Sequence, residues 1–193
     1  MDRNSSERLK RRIALVAMEL ARYHIDIAAL SETRLAKQDK LHEADASYTF
    51  YWVGNAASAP REHGVRFAIF DRQNGQLVVE PTDACSLRFG RGKFAIFIST
   101  YGQAMCYPDD TRDQFDTELF SVIRSVSGSD RLFLLGDFNA FFGCDTSVWT
   151  DFIDQHGISS ATANGDRLLS LCATHGLTIT NTQLAVSASD TAT

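Results

Sequence analysis

The stretch "RLFLLGDFNA", residues 131–140, joins a structural signal to a chemical one. Its first part is a short apolar run bounded by a glycine, which is typical of a buried strand. Gly136 allows a tight exit from that strand. Asp137 and Asn139 follow two residues apart, and side chains at this spacing point to the same side of an extended backbone. The stretch therefore predicts a strand that ends in a carboxylate and an amide held together.

This pairing has both a structural and a functional interpretation. Asp and Asn at strand ends commonly bond the backbone amides of the following loop. In α/β proteins the side chains at strand ends, and the loops beyond them, also form the binding crevice. The stretch taken alone leaves both interpretations open.

Two other predicted strands end in residues with useful chemistry. The run "IDIAAL" (25–30) leads to Glu32, and "KFAIFISTY" (93–101) ends at Tyr101. Mg²⁺ takes oxygen ligands and is often held by one or two carboxylates, and a tyrosine can bond a phosphate oxygen. A surface ion pair with Arg34 is the commoner role for such a glutamate, and half-buried packing is the commoner role for such a tyrosine.

Helical and strand patterns alternate along the chain and predict an α/β fold. The predicted helices span 5–23, 111–126 and 164–176, the last with Gly176 as its C-cap. The predicted strands span 25–30, 48–53, 65–70, 76–80, 93–101, 131–136 and 177–182. The Asn-Gly pair at 74–75 is a turn signal and predicts a hairpin of the third and fourth of these strands.

Composition limits the classes of function. The 193 residues are 44% hydrophobic and have a net charge of −5, which suits one globular domain or a large piece of one. Proteins that bind nucleic acid through overall charge are usually basic, so contact with nucleic acid here needs a local basic patch or a bound metal. The four cysteines form no Cys-x-x-Cys pair, so neither a zinc site nor a redox motif is indicated.

The N-terminal residues indicate an intracellular location. They are charged, no apolar signal-peptide core follows them, and the longest apolar runs are too short to span a bilayer. We therefore expect a protein of the nucleus or cytoplasm that is neither secreted nor inserted in a membrane. The basic run at residues 10–12 is either a nuclear address or the solvated face of a helix.

Several stretches between residues 8 and 182 are similar in sequence to one known family. They are "RRIALVAMELARYHIDIAALSETRLA", "YTFYWVG", "HGVRFAIF", "GKFAIFISTYGQAM", "LLGDFNA" and "NGDRLLSLCATHGLTITNT". Together they resemble the endonuclease/exonuclease/phosphatase superfamily, which has the DNase I-like fold. Within it they are most similar to the retrotransposon-derived, craniofacial development protein 2-like branch, related to the LINE retrotransposon endonucleases.

The resemblance implies an α/β (α+β) four-layer sandwich, in which two facing mixed sheets lie between outer helices. Glu32 resembles the family's metal-binding glutamate, and Tyr101 resembles the tyrosine that contacts the scissile phosphate. Asp137 resembles the aspartate that activates or orients the attacking water, and Asn139 resembles the amide that positions the phosphate. The implied reaction is hydrolysis of phosphodiesters in nucleic acid, DNA by family, with Mg²⁺ or Mn²⁺.

The chain also departs from the family pattern. The family opens with a strand that carries an asparagine, and closes with a second metal aspartate and a Ser-Asp-His segment; the 193 residues contain none of these. The family's Tyr-x-Pro turn is Tyr101-Gly102-Gln103 here, and Arg66 replaces a glycine. We therefore expect an incomplete domain at residues 1–182, truncated at both ends, with a disordered tail at 183–193.

These features lead to one main hypothesis and two alternatives. The main hypothesis is a retrotransposon-derived endonuclease-like domain that holds Mg²⁺ weakly and is impaired or inactive in this chain. The first alternative is a non-catalytic remnant or interaction domain. The second is a phosphatase-like domain for phosphoinositide or sphingolipid phosphates. The local sequence similarity favours it less than the retrotransposon-derived branch.

Overall fold

The computed structural model describes residues 3–31, 39–53, 65–78, 81–103, 106–141, 149, 151–153 and 161–182. The helices are α1 (Arg3–Arg22), α2 (Asp71–Asn74), α3 (Asp109–Ser125) and α4 (Ala163–His175), followed by a 3₁₀ turn at Thr180–Thr182. The strands are β1 (Ile27–Leu30), β2 (Asp39–Glu43), β3 (Tyr48–Val53), β4 (Val65–Phe70), β5 (Ala84–Gly90), β6 (Lys93–Tyr101) and β7 (Arg131–Asp137). The chain forms two compact units, one of residues 1–100 and 127–136 and one of residues 101–126 and 137–193.

The first unit contains two sheets. One has the order β1-β4-β3-β2, and all of its strand pairs are antiparallel. The other has the order β5-β6-β7, with β5 antiparallel to β6. The backbone N–H of Phe94 donates to Asp130 and the hydroxyl of Thr100 donates to the carbonyl oxygen of Leu135, so β6 and β7 run parallel. Among the described strands, the second sheet is therefore mixed and the first is antiparallel, whereas the resemblance implied two mixed sheets.

A single buried cluster joins the two sheets. Strand side chains alternate between two faces, and one face of the first sheet contributes Tyr51, Phe67 and Ile69 to this cluster. Cys85 and Leu87 of β5 contribute from the second sheet. The prediction of two facing sheets is confirmed.

Helix α1 covers the opposite face of the first sheet. Ile13 and Ala17 of the helix are buried together with Tyr48, Phe50 and Trp52 of β3. Their spacing of four residues places them on one side of the helix. The first unit thus has the layer order helix, sheet, sheet, and the α/β prediction with an outer helix is confirmed.

Helices α3 and α4 pack together in the second unit. The guanidinium of Arg167 in α4 donates to Asp113 and Asp116 of α3, at 2.5 Å each. The hydroxyl of Thr162 caps the start of α4, and Gly176 ends it at φ +62°, the C-cap predicted from the sequence. Within the described ranges, no helix combines the length and apolar composition that a membrane crossing requires.

Two predicted elements are wrong. No hairpin joins 65–70 to 76–80, because the chain enters α2 directly after β4 and Gly75 has φ −67°; the expected turn requires positive φ. Leu77 instead bridges to Leu87 of β5. Residues 177–182 form no strand and end in the 3₁₀ turn. The tail at 183–193 lies outside the described residues, and the domain boundary at 182 stays a prediction.

The cluster between the sheets predicts a large loss of stability when Phe67 is truncated. Phe67 is 0% exposed and Phe89 of β5 is 51% exposed. Phe67→Ala should lower the free energy of unfolding by about 3–5 kcal/mol, and Phe89→Ala should change it by about 0.5 kcal/mol or less. Urea denaturation followed by circular dichroism measures both values. Equal losses would contradict the assignment of the core.

The cysteines predict a pH-dependent order of modification. Burial raises the pKa of Cys85 to about 12 and that of Cys172 to about 11, because it disfavours the thiolate. Cys106 is exposed. In a Cys144→Ser background at pH 8, iodoacetamide should modify Cys106 first, which mass spectrometry of peptides detects.

The same shifts fix the direction of the pH effect on stability. A raised folded-state pKa gives a stabilisation that is complete below the ordinary value of 9.0 and is lost as the pH rises towards 11 and 12. The free energy of unfolding should therefore fall above about pH 9.

In the iodoacetamide experiment, modification of Cys85 or Cys172 as fast as that of Cys106 at pH 8 would contradict the burial of these two thiols.

Candidate functional site

Three of the four predicted site residues lie close together in the second unit. Tyr101 is the last residue of β6, Asp137 is the last residue of β7, and both are half-buried. The backbone N–H of Gly102 donates to the carbonyl oxygen of Asp137 at 2.7 Å, so the two strand ends are neighbours. Asn139 follows two residues later. Glu32 lies outside the described residues, and the chemical roles of all four remain predictions.

Two glycines permit this close approach. Gly136 in the first unit has φ +142°, and a Cβ there would lie 1.9 Å from the carbonyl oxygen of Thr100. A Cβ on Gly102 in the second unit would lie 2.5 Å from the carbonyl oxygen of Phe138. Neither position accepts a side chain without movement of the backbone, which agrees with the tight strand exit predicted at Gly136.

Asp137 and Asn139 bond the loop that they form. The Oδ1 atom of Asp137 accepts the backbone N–H of Asn139 at 2.8 Å, the turn that Asp commonly makes two residues on. Asn139 has φ +48°, a left-handed conformation that Asn tolerates. Its Nδ2 atom donates to the carbonyl oxygen of Gly102 at 2.8 Å. The backbone is therefore not extended here, and the same-side argument from strand geometry is wrong for this pair.

Polar capacity remains on both side chains. Among the described residues, none donates a hydrogen bond to the Oδ2 atom of Asp137, and only one of the two amide N–H groups of Asn139 is used. The structural and the functional interpretation of this stretch are thus compatible, because each side chain bonds the loop through one atom and keeps another for a ligand.

Asn164 links the two strand-end loops, and no pattern in the sequence predicted it. It lies in the first turn of α4 and is 7% exposed. Its Nδ2 atom donates to the carbonyl oxygens of Gln103 at 2.8 Å and Asn139 at 3.1 Å. Its Oδ1 atom lies 3.5 Å from Nη1 of Arg112 in α3. The only sequence signal was a polar residue at a helix start, which is ordinary.

A small cavity lies beside Asn164, between α3, α4 and the two loops. Its volume is about 30 Å³, which holds a water molecule but no nucleotide. Arg112 and Arg167 line it. Arg112 donates to Asp109, and the hydrogen bonds that Arg167 donates to Asp113 and Asp116 raise the pKa of Arg167. These arginines therefore bind carboxylates of α3.

The metal prediction rests on donor chemistry. Within the described parts of the chain, no group of three or more His, Cys, Asp or Glu residues is placed to hold a metal. Asp137 supplies a hard oxygen donor at the strand ends, and Mg²⁺ is often held by only one or two carboxylates with water in its other positions. The carboxylate of Asp137 is therefore of the donor type that Mg²⁺ prefers, and the assignment of Glu32 as a metal ligand stays a prediction.

Comparison with known proteins identifies one family. A sequence model of the Endonuclease/Exonuclease/phosphatase family matches residues 1–184 of the 193-residue chain. The matched range includes Tyr101, Asp137 and Asn139, and members of this family are generally hydrolases that typically use a divalent metal. Among curated proteins, none matches the chain.

The close approach at Gly102 predicts a strong effect of a single methyl group. Gly102→Ala should lower the free energy of unfolding by about 1–3 kcal/mol, because its Cβ must displace the backbone of Phe138. Gly128→Ala is the matched control, since nothing lies within 4 Å of a Cβ there. Thermal denaturation of both variants measures the difference. A tolerated Gly102→Ala would show that the two strand ends are farther apart than described.

Proposed function

The chain belongs to the endonuclease/exonuclease/phosphatase family, and from this we propose that it is a retrotransposon-derived endonuclease-like domain that hydrolyses phosphodiester bonds in DNA. The observation that supports the proposal most is the geometry at the ends of β6 and β7. There a tyrosine, a carboxylate and an amide lie around one backbone hydrogen bond, from Gly102 to Asp137. Hydrolysis of a phosphodiester needs a group that orients the attacking water or accepts its proton, and it needs groups that bind the phosphate.

Asp137 is the proposed group for the attacking water. Its Oδ1 atom is held by the backbone N–H of Asn139 at 2.8 Å, which fixes the plane of the carboxylate. Its Oδ2 atom would orient the water or accept its proton. A general base placed in this way typically contributes about 10²–10⁴-fold in rate.

Asn139 and Tyr101 are the proposed phosphate ligands. The amide of Asn139 is anchored to Gly102 at 2.8 Å through one N–H, so the second N–H has a fixed direction and can donate to a phosphate oxygen. The hydroxyl of Tyr101 would donate from the neighbouring strand end. Donors that are oriented before the substrate arrives stabilise developing charge without reorganisation during the reaction.

Glu32 would hold Mg²⁺ or Mn²⁺, an assignment that rests on the family resemblance alone. The bound ion would neutralise charge on the phosphate and assist departure of the leaving oxygen. An ion held by so few protein ligands is bound weakly, because water fills its other positions. Its positive charge would also offset the net charge of −5, which by itself disfavours binding to DNA.

A nicking assay tests this function. The chain is incubated with supercoiled plasmid and Mg²⁺, beside Asp137→Asn and the charge-matched control Asp45→Asn. Asp45 is exposed and lies between β2 and β3. The proposal expects slow nicking that stops with EDTA and with Asp137→Asn but continues with Asp45→Asn. The nicking rate relative to that of another family member measures the proposed impairment.

Other outcomes of the assay favour the alternatives. DNA binding in a gel shift without nicking, at excess protein and with either Mg²⁺ or Mn²⁺, would contradict catalysis and favour a non-catalytic interaction domain. Release of phosphate from a phosphoinositide but no nicking would favour a phosphatase.

The proposed location of the protein is the nucleus or the cytoplasm. Localisation of a tagged chain outside both compartments would contradict it.

A further inference from the structure

We propose that Asn164 is a positioning residue of this site, which fixes the loops after β6 and β7 relative to each other and thereby orients Asn139 towards the substrate. The part of this inference that concerns the substrate rests on the proposed hydrolysis of phosphodiesters. Asn164 itself lies in α4 and is 7% exposed. It acts through its contacts with the two loops.

Both donors of the Asn164 amide serve the site. The Nδ2 atom carries two hydrogens, and it donates to Gln103 O at 2.8 Å and to Asn139 O at 3.1 Å. Gln103 follows Tyr101 by two residues, and Asn139 follows Asp137 by two. One buried side chain therefore ties together the backbones just beyond the two proposed reactive strand ends.

Asn139 is held at several points, and Asn164 supplies one of them. Its backbone N–H bonds Asp137 and its side chain bonds Gly102, both at 2.8 Å. Its carbonyl oxygen is the acceptor of Asn164. Asn139 has φ +48°, a left-handed conformation that Asn tolerates but that is less favourable than the right-handed one. Loss of the Asn164 bond would therefore let this residue relax and turn its amide away.

Arg112 sets the direction of the Asn164 amide. Its Nη1 atom lies 3.5 Å from Oδ1 of Asn164, and its guanidinium also donates to Asp109. Because the guanidinium of Arg112 can only donate, the amide oxygen of Asn164 faces Arg112. The N–H groups of the same amide then face the loops. An aspartate would keep the shape and the attraction to Arg112, but it would turn an oxygen towards two carbonyl oxygens and donate to neither.

The variants separate positioning from folding. Asn164→Ala removes all three contacts, and Asn164→Asp keeps the shape while it removes both donors. Leu169→Val is the control, because Leu169 is buried in the same helix and is 1% exposed, and its side chain has no donor that could bond either carbonyl. Circular dichroism first establishes a temperature at which all four proteins are folded.

Kinetics give the first measurement. Initial nicking rates over a range of plasmid concentrations yield kcat and KM. We expect both Asn164 variants to lose about ten- to a hundredfold in kcat with KM within about threefold, because displacement of a reacting group by about 1 Å costs rate more than binding. Leu169→Val should keep kcat within about twofold.

Hydrogen–deuterium exchange gives a second measurement that needs no activity. The backbone N–H groups of Gly102 and Asn139 are bonded within the site, at 2.7 and 2.8 Å. Peptides that contain them should exchange faster in both Asn164 variants than in the wild type or Leu169→Val. Nicking and exchange that match Leu169→Val would overturn the proposal. If the wild-type chain cuts no DNA, the proposed function fails, and exchange alone then decides whether Asn164 fixes the loops.

Discussion

The ends of β6 and β7 approach so closely that two positions there, Gly102 and Gly136, have no room for a side chain. Gly136 leaves room for the carbonyl oxygen of Thr100, and Gly102 leaves room for the backbone of Phe138. The hydrogen bond from Gly102 to Asp137 then joins the two strand ends at 2.7 Å. The position of the candidate site follows from this approach, because it makes Tyr101 and Asp137 neighbours although 36 residues separate them in the chain.

The polar residues beyond the strand ends stabilise the loops and prepare a site at the same time. Asp137 bonds Asn139, Asn139 bonds Gly102, and the amide of Asn164 bonds Asn139 and Gln103. Buried or half-buried polar groups need partners, so such a network defines one loop conformation. In the proposed function, these groups would already be oriented before a substrate binds, which is the arrangement that favours catalysis over simple binding.

The sequence predicted those parts of the fold that local patterns determine. The bounds of β3, β4 and β6 match the apolar and aromatic runs, because each strand has at least one buried face. Strand β2 (DKLHE) was missed, since it is mostly charged and largely exposed. The Asn-Gly signal failed because Gly75 closes a helical turn with negative φ.

The candidate site was predictable only where its residues follow a strand. Asp137, Asn139 and Tyr101 were predicted from their positions at or just after the ends of apolar runs and from the family resemblance. Asn164 was not predicted, because its proposed role depends on contacts with Gln103 and Asn139, which lie 61 and 25 residues away in the chain. A local pattern contains no information about such partners, whereas the folded chain brings them within hydrogen-bond distance.

A crystal structure of the Asp137→Asn variant with a short DNA duplex tests the central claim most directly. If the strand ends form the hydrolytic site, a backbone phosphate oxygen should lie within about 3.2 Å of Nδ2 of Asn139. The same phosphate should also lie near the hydroxyl of Tyr101. An ordered complex in which the DNA lies on another surface, with no phosphate near these two residues, would contradict the account.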